Sequence, residues 1–156
     1  MKQLSPERVG AGRVLIVDDQ PEVAEGIKQL LEYEGIVVNV QTSLITLPLM
    51  IRQFDPDVVL LDLSMPGLGG TAYFAAGAHK VIRAEIPIIL FSGRSRHELS
   101  RLSEDLGADG FISKEQDAWD VVVRVKSWIK HRRAVAFAAG RKVNHADTRT
   151  SSASSN

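Results

Sequence analysis

Short, largely apolar runs recur along the chain: Val14-Leu15-Ile16-Val17, Ile36-Val37-Val38-Asn39-Val40, Val58-Val59-Leu60-Leu61 and Ile86-Pro87-Ile88-Ile89-Leu90-Phe91. Each is too short for a buried helix and rich in β-branched residues, which reads as a strand covered on both faces. A fifth and shorter run is Gly110-Phe111-Ile112. Between the runs, apolar residues return at helical spacing instead: Val23, Ile27, Leu30 and Leu31; Leu99, Leu102 and Leu106; Trp119, Val122, Val125, Trp128 and Ile129. The Ala-rich stretch 71–83 reads as a further helix, weakened by Gly77. Strands alternating with helices in this way predict an α/β fold with a doubly wound, five-stranded parallel sheet, right-handed crossovers and helices on both faces.

Local signals set the expected boundaries. Asp19-Gln20-Pro21-Glu22 reads as a helix start with Asp19 as the cap and Pro21 in the first turn, and Gly35 closes that helix. The next helix is expected from about Ser43, and Pro48 must either start it late or kink it. Ser95-Arg96-His97-Glu98 is a capping box, and Gly107 ends the helix that it opens. The last helix starts near Asp117 and extends toward Gly140. Residues 1–12 are expected to be a flexible lead-in, 13–131 one domain, and 132–156 a basic, Ser/Thr-rich tail that prolongs the last helix before becoming disordered.

Composition excludes more than it identifies. A chain of 156 residues is long enough for one well-buried core. It holds no Cys, which removes disulfides, thiol nucleophiles and thiolate metal sites. The formal net charge is zero, so nothing global favours nucleic acid or a membrane. Residues 132–156 carry five Lys/Arg and one Asp, leaving 14 basic and 18 acidic residues before them: an acidic body with a basic tail. No run approaches the length of a membrane span, and the N-terminus lacks the apolar core of a signal peptide, so a cytoplasmic protein is expected. His79, His97, His131 and His145 have no metal-site spacing.

The chemistry lies at the ends of the strand-like runs. Open α/β sheets bind ligands beyond the carboxyl ends of their strands. The first run ends on Asp18-Asp19, the third on Asp62, the fourth on Ser92, and Lys114 follows the fifth. Three carboxylates, a hydroxyl and an ammonium would therefore meet at one rim. Clustered carboxylates repel one another unless a cation sits among them, and an all-oxygen donor set suits Mg²⁺. A carboxylate can be the nucleophile toward phosphorus, while cation and lysine neutralise the charge on the phosphoryl oxygens.

Four motifs, V-L-I-V-D-D, P-D-V-V-L-L-D-L-S-M-P-G-L-G-G, I-P-I-I-L-F-S-G and A-D-G-F-I-S-K, occur in order. Together they resemble a response regulator receiver domain of two-component signalling, with its flavodoxin-like (βα)5 fold, over roughly residues 13–131. The resemblance implies that Asp62 is the phosphoacceptor. It also implies that Asp19 and Asp62 ligate Mg²⁺ directly, that Asp18 supports it through water, and that the Ser64 carbonyl is a further ligand. Ser92 and Lys114 would contact phosphoryl oxygens, and Phe111 would be a switch aromatic that turns inward with Ser92. The donor would be a sensor histidine kinase or a histidine phosphotransfer protein. A downstream protein would be met on the surface formed by the helix from Ser95, strand 110–112 and the last helix. Glu115 departs from the Pro usual after the Lys, and Ser64 and Arg94 flank the acceptor at positions that vary in the family.

The expected function is thus a stand-alone response regulator that catalyses only its own phosphorylation and dephosphorylation. The residues beyond 131 are too few and too polar for a DNA-binding module. Two rivals belong to other classes. A receiver-type binding module would signal without phosphorylation, and an aspartate-nucleophile phosphatase would need D-x-D after the first strand, where this chain has adjacent Asp18-Asp19. An extension of the last helix bearing Val135 and Phe137 could support a homodimer, but a frayed helix end is the preferred reading.

Overall fold

The computed structural model describes residues 10–64 and 86–139. The expected helix 71–83, the turn at Met65-Pro66-Gly67, His79, His145 and the tail from 140 lie outside them. In chain order the elements are β1 (Arg13–Val17), α1 (Pro21–Tyr33), β2 (Val37–Gln41), α2 (Leu47–Phe54) and β3 (Val58–Leu61), then β4 (Ile88–Ser92), α3 (Arg96–Leu106), β5 (Gly110–Ser113) and α4 (Ala118–Ala138).

The strands form one sheet in the order β2-β1-β3-β4-β5, every pair parallel. Alternation of side chains splits it into two apolar layers. Val14, Ile16, Val58, Leu60, Ile89, Phe91 and Ile112 pack with Ala24 and Leu31 of α1 and with Val122, Val125 and Ile129 of α4. Leu15, Val17, Val59, Leu61, Ile88 and Leu90 pack with Leu47 and Ile51 of α2 and Leu99 of α3. With helices on both faces, the sheet is doubly wound as expected. The order in which strands are added reverses between β1 and β3, which places a ligand crevice at their carboxyl ends.

Several boundaries differ from the sequence reading for physical reasons. Asp19 does not cap α1. The N-cap is Gln20, Pro21 stands in the first turn with no N–H to satisfy, and the carboxylate of Asp18 takes the Gln20 N–H at 2.9 Å. Val23 is largely exposed, and the core-facing stripe is instead Ala24, Ile27 and Leu31. Gly35 does close α1. At φ +79° it lets its own N–H reach Glu32 O and the Ile36 N–H reach Leu31 O, a Schellman closure. Ala108 and Gly107 make the same pair of bonds at the end of α3. Pro48 starts α2 late rather than kinking it, and Leu44 is buried ahead of the helix. The capping box of α3 is complete, with reciprocal Ser95–Glu98 bonds.

α4 continues past residue 131, and its arginines belong to the fold. Asp57, buried at the base of β3, accepts from the Arg13 N–H at 2.9 Å, from Arg132 at 2.8 Å and from Arg133 at 3.1 Å. Arg133 also donates to the carbonyls of Gly10 and Ala11 at 2.9 and 2.7 Å. The end of the lead-in and the start of the expected tail are therefore tied together under the sheet. No helix among the described residues is long and apolar enough to cross a membrane.

Candidate functional site

Backbone hydrogen bonds continue the sheet one residue beyond its strands and so fix the rim. The Asp18 N–H donates to Gln41 O, the Asp62 N–H to Val17 O and the Lys114 N–H to Ser92 O, at 2.9, 2.9 and 2.7 Å. These bonds hold Asp18, Asp62, Ser92 and Lys114 at one edge, each on a rigid strand end. Asp18 and Asp62 are buried, Ser92 is buried, and Asp19 is half-buried beside them.

Carboxylate oxygens of Asp18, Asp19 and Asp62 lie within 4.8 Å of one another. Lys114 Nζ sits 2.7 Å from Asp18 Oδ2 and 3.7 Å from Asp62 Oδ1. Among the described residues, one ammonium against three carboxylates leaves the rim with a deficit of two positive charges. Burial pushes the Asp62 carboxyl above the ordinary Asp value of 3.8, and neighbouring Asp18 adds to the rise. The Ser64 N–H, which donates to Asp62 Oδ1 at 3.1 Å, and Lys114 pull the other way without cancelling it. The charge and the all-oxygen donors of the site fit a hard divalent cation.

Three residues that the sequence did not single out complete the arrangement. The Phe91 ring lies 5.1 Å from Lys114 Nζ and supports the ammonium from below. Ser113 Oγ donates to Arg94 O at 3.1 Å and accepts the Glu115 N–H at 3.2 Å, stapling the β4–α3 loop to β5. A serine beside the site lysine was the only available signal for this. Ser92 Oγ in turn accepts the Arg94 N–H at 3.3 Å. Arg124 is the third and contacts Phe111.

Phe111 is half-buried on β5, in register with Leu90 of β4, two residues before Ser92 on the same face. Ser64 is exposed just beyond Asp62. Trp119 is exposed at the start of α4, whereas Trp128 packs against the core with its ring edge toward His131. His97 is exposed in the first turn of α3.

Residues 14–126 match the response regulator receiver domain family. The chain belongs to that family. Among curated relatives, the receiver domain resembles sensory transduction protein RegX3 of Mycobacterium tuberculosis, with 31% identity over 122 residues, 75% of this chain and 50% of that protein. Response regulator GtcR of Aneurinibacillus migulanus is 32% identical over 124 residues, 80% of this chain and 49% of that protein. DNA-binding response regulator MtrA of Mycolicibacterium smegmatis is 30% identical over 123 residues, 76% of this chain and 50% of that protein. The chain thus spans about half the length of the curated relatives that it matches. A solved CheY-like receiver domain from Methanospirillum hungatei superposes with a TM-score of 0.68 at 28% identity, covering 81% of this chain and 99% of that one.

Proposed function

We propose that this receiver domain accepts a phosphoryl group on Asp62 from a sensor histidine kinase or a histidine phosphotransfer protein, in a Mg²⁺-dependent step. The observation that carries the reading is the deficit of two positive charges around a buried carboxylate that also faces a lysine. Asp18, Asp19 and Asp62, with the Ser64 carbonyl, would hold the ion, which when bound neutralises phosphoryl oxygens and lowers the proton affinity of Asp62. In the step itself an Asp62 oxygen attacks phosphorus, the P–N bond of the donor phosphohistidine breaks, and the leaving imidazole retains the electron pair.

The chain's own residues prepare that step. The Ser64 N–H orients Asp62 through Oδ1, the strand ladder fixes its backbone, and Lys114 sits where it can shift from Asp18 toward an incoming phosphoryl oxygen. Ser92 presents a hydroxyl on the adjoining strand. Catalysis is confined to the chain's own phosphorylation and dephosphorylation, in the cytoplasm. Output passes through protein contacts on the surface formed by α3, β5 and α4, or by onward transfer of the phosphoryl group.

Intact mass after incubation with acetyl phosphate and Mg²⁺ tests this reading. One phosphoryl group is expected on the wild type, none on Asp62→Asn, and none when a chelator replaces Mg²⁺. Equal labelling of Asp62→Asn would displace Asp62 as the acceptor.

A further inference from the structure

Phe111 is held by a residue outside the rim. The Arg124 guanidinium, projecting from α4, lies 6.0 Å from the centre of the Phe111 ring, and its Nη1 donates to the carbonyl of the same residue at 3.4 Å. One side chain thus grips both the ring and the backbone of a single β5 residue. Beside the ring is an open cavity of about 350 Å³, lined by Gly110, Phe111, Arg124, Ser127 and Trp128. Trp128 seats directly on Gly110, where even a Cβ would come within 2.6 Å of the indole. The ring therefore has packed core on one side and free volume on the other, with a cation at the boundary.

We infer that Arg124 is a positioning residue that latches the Phe111 ring in the arrangement seen here and so sets how readily the site takes a phosphoryl group. The inference rests on the reading of Asp62 as phosphoacceptor and Phe111 as a ring that turns toward Ser92. An inward turn takes the ring away from the guanidinium, so the contact exists in one state only. A group shifts a two-state equilibrium only by such a difference in contacts. The cation–ring attraction at a half-exposed site then holds the present arrangement by about two- to fivefold in population.

Binding of beryllofluoride with Mg²⁺, a stand-in for the phosphoryl group, tests the latch when followed by the ¹⁹F resonance of the bound ion. Arg124→Gln keeps a polar side chain and removes the cation, and it is expected to bind about two- to fivefold more tightly than wild type. Arg124→Lys, which retains the cation, is expected to remain near wild type. In a Phe111→Leu background, Arg124→Gln is expected to change nothing, because the ring that it acts through is gone. Unchanged or weaker binding by Arg124→Gln, or an effect that persists in Phe111→Leu, would overturn the latch alone. Failure of the wild type to bind would overturn the phosphoacceptor reading and the latch with it. Thermal midpoints measured alongside separate a loss of folding from a change in poise.

Discussion

At Asp62 the folded chain holds a proton more tightly than the unfolded chain does, because burial and Asp18 oppose the charged form. The sign of the pH dependence follows. A raised folded-state value contributes stability that is full below the ordinary Asp value of 3.8 and is lost as pH rises through the raised value. Above that window the ionised carboxylate is a standing penalty. In chelator, Asp62→Asn is therefore expected to unfold at a higher temperature than wild type at neutral pH. The gap should shrink as pH falls toward 3.8. Thermal unfolding across a pH series reads this directly, and a gap independent of pH would contradict it. Added Mg²⁺ should raise the wild-type midpoint more than that of the variant, which lacks the Asp62 carboxylate. Asp18, Asp62, Ser92 and Lys114 were legible because strand ends can be read from where apolar runs stop. Phe91, Ser113 and Arg124 were not, since their roles depend on which neighbour lies across the sheet.

The helices divide by whether their ends carry local chemistry. Ser95 and Glu98 satisfy two backbone donors reciprocally, so α3 starts where the sequence says. The Ser95 hydroxyl and backbone N–H hold the Glu98 carboxyl below its ordinary value of 4.5. That contribution is therefore present above pH 4.5 and fades as pH falls. Ser95→Ala is expected to destabilise the domain by about 1 kcal/mol in urea titration, with an unchanged slope. An effect near zero would mean that α3 is held by Leu99 and its neighbours alone. α1 shows the opposite case. Its Asp-x-Pro-Glu opening resembles a cap by spacing, but the rim draws the Asp side chains to other work and leaves Gln20 at the cap with no side-chain bond. α2 carries apolar residues nearly all round, so only the fold decides that Leu47 and Ile51 face inward while Leu49 faces water. The alternation of strands and helices was legible because periods of two and 3.6 residues are local. The phase of each helix was not, because packing decides it.

For the molecule as a whole, the base of the sheet matters as much as its rim. Asp57 is a buried anion whose cationic partners, Arg132 and Arg133, come 75 and 76 residues later in the chain. Truncation after His131 removes both arginines and leaves that charge unpaired, which is expected to lower stability by roughly 3–5 kcal/mol in denaturant titration. Asp57→Asn in the truncated chain should recover part of the loss. If truncation changed nothing, the arginines would be ornaments of the surface rather than members of the fold. In the sequence they read as part of a basic tail, because a charge cluster near a terminus is usually solvated, and nothing local to Asp55-Pro56-Asp57 announces a partner so far along.

The same pairing orders events during synthesis. β3, which ends just before Asp62, emerges from the ribosome long before the guanidinium groups that neutralise its base. Until about residue 133 has been made, the central strand can close its ladder only by sheltering a bare carboxylate. The nascent chain is thus expected to settle late, its central strand locking once the final helix has arrived.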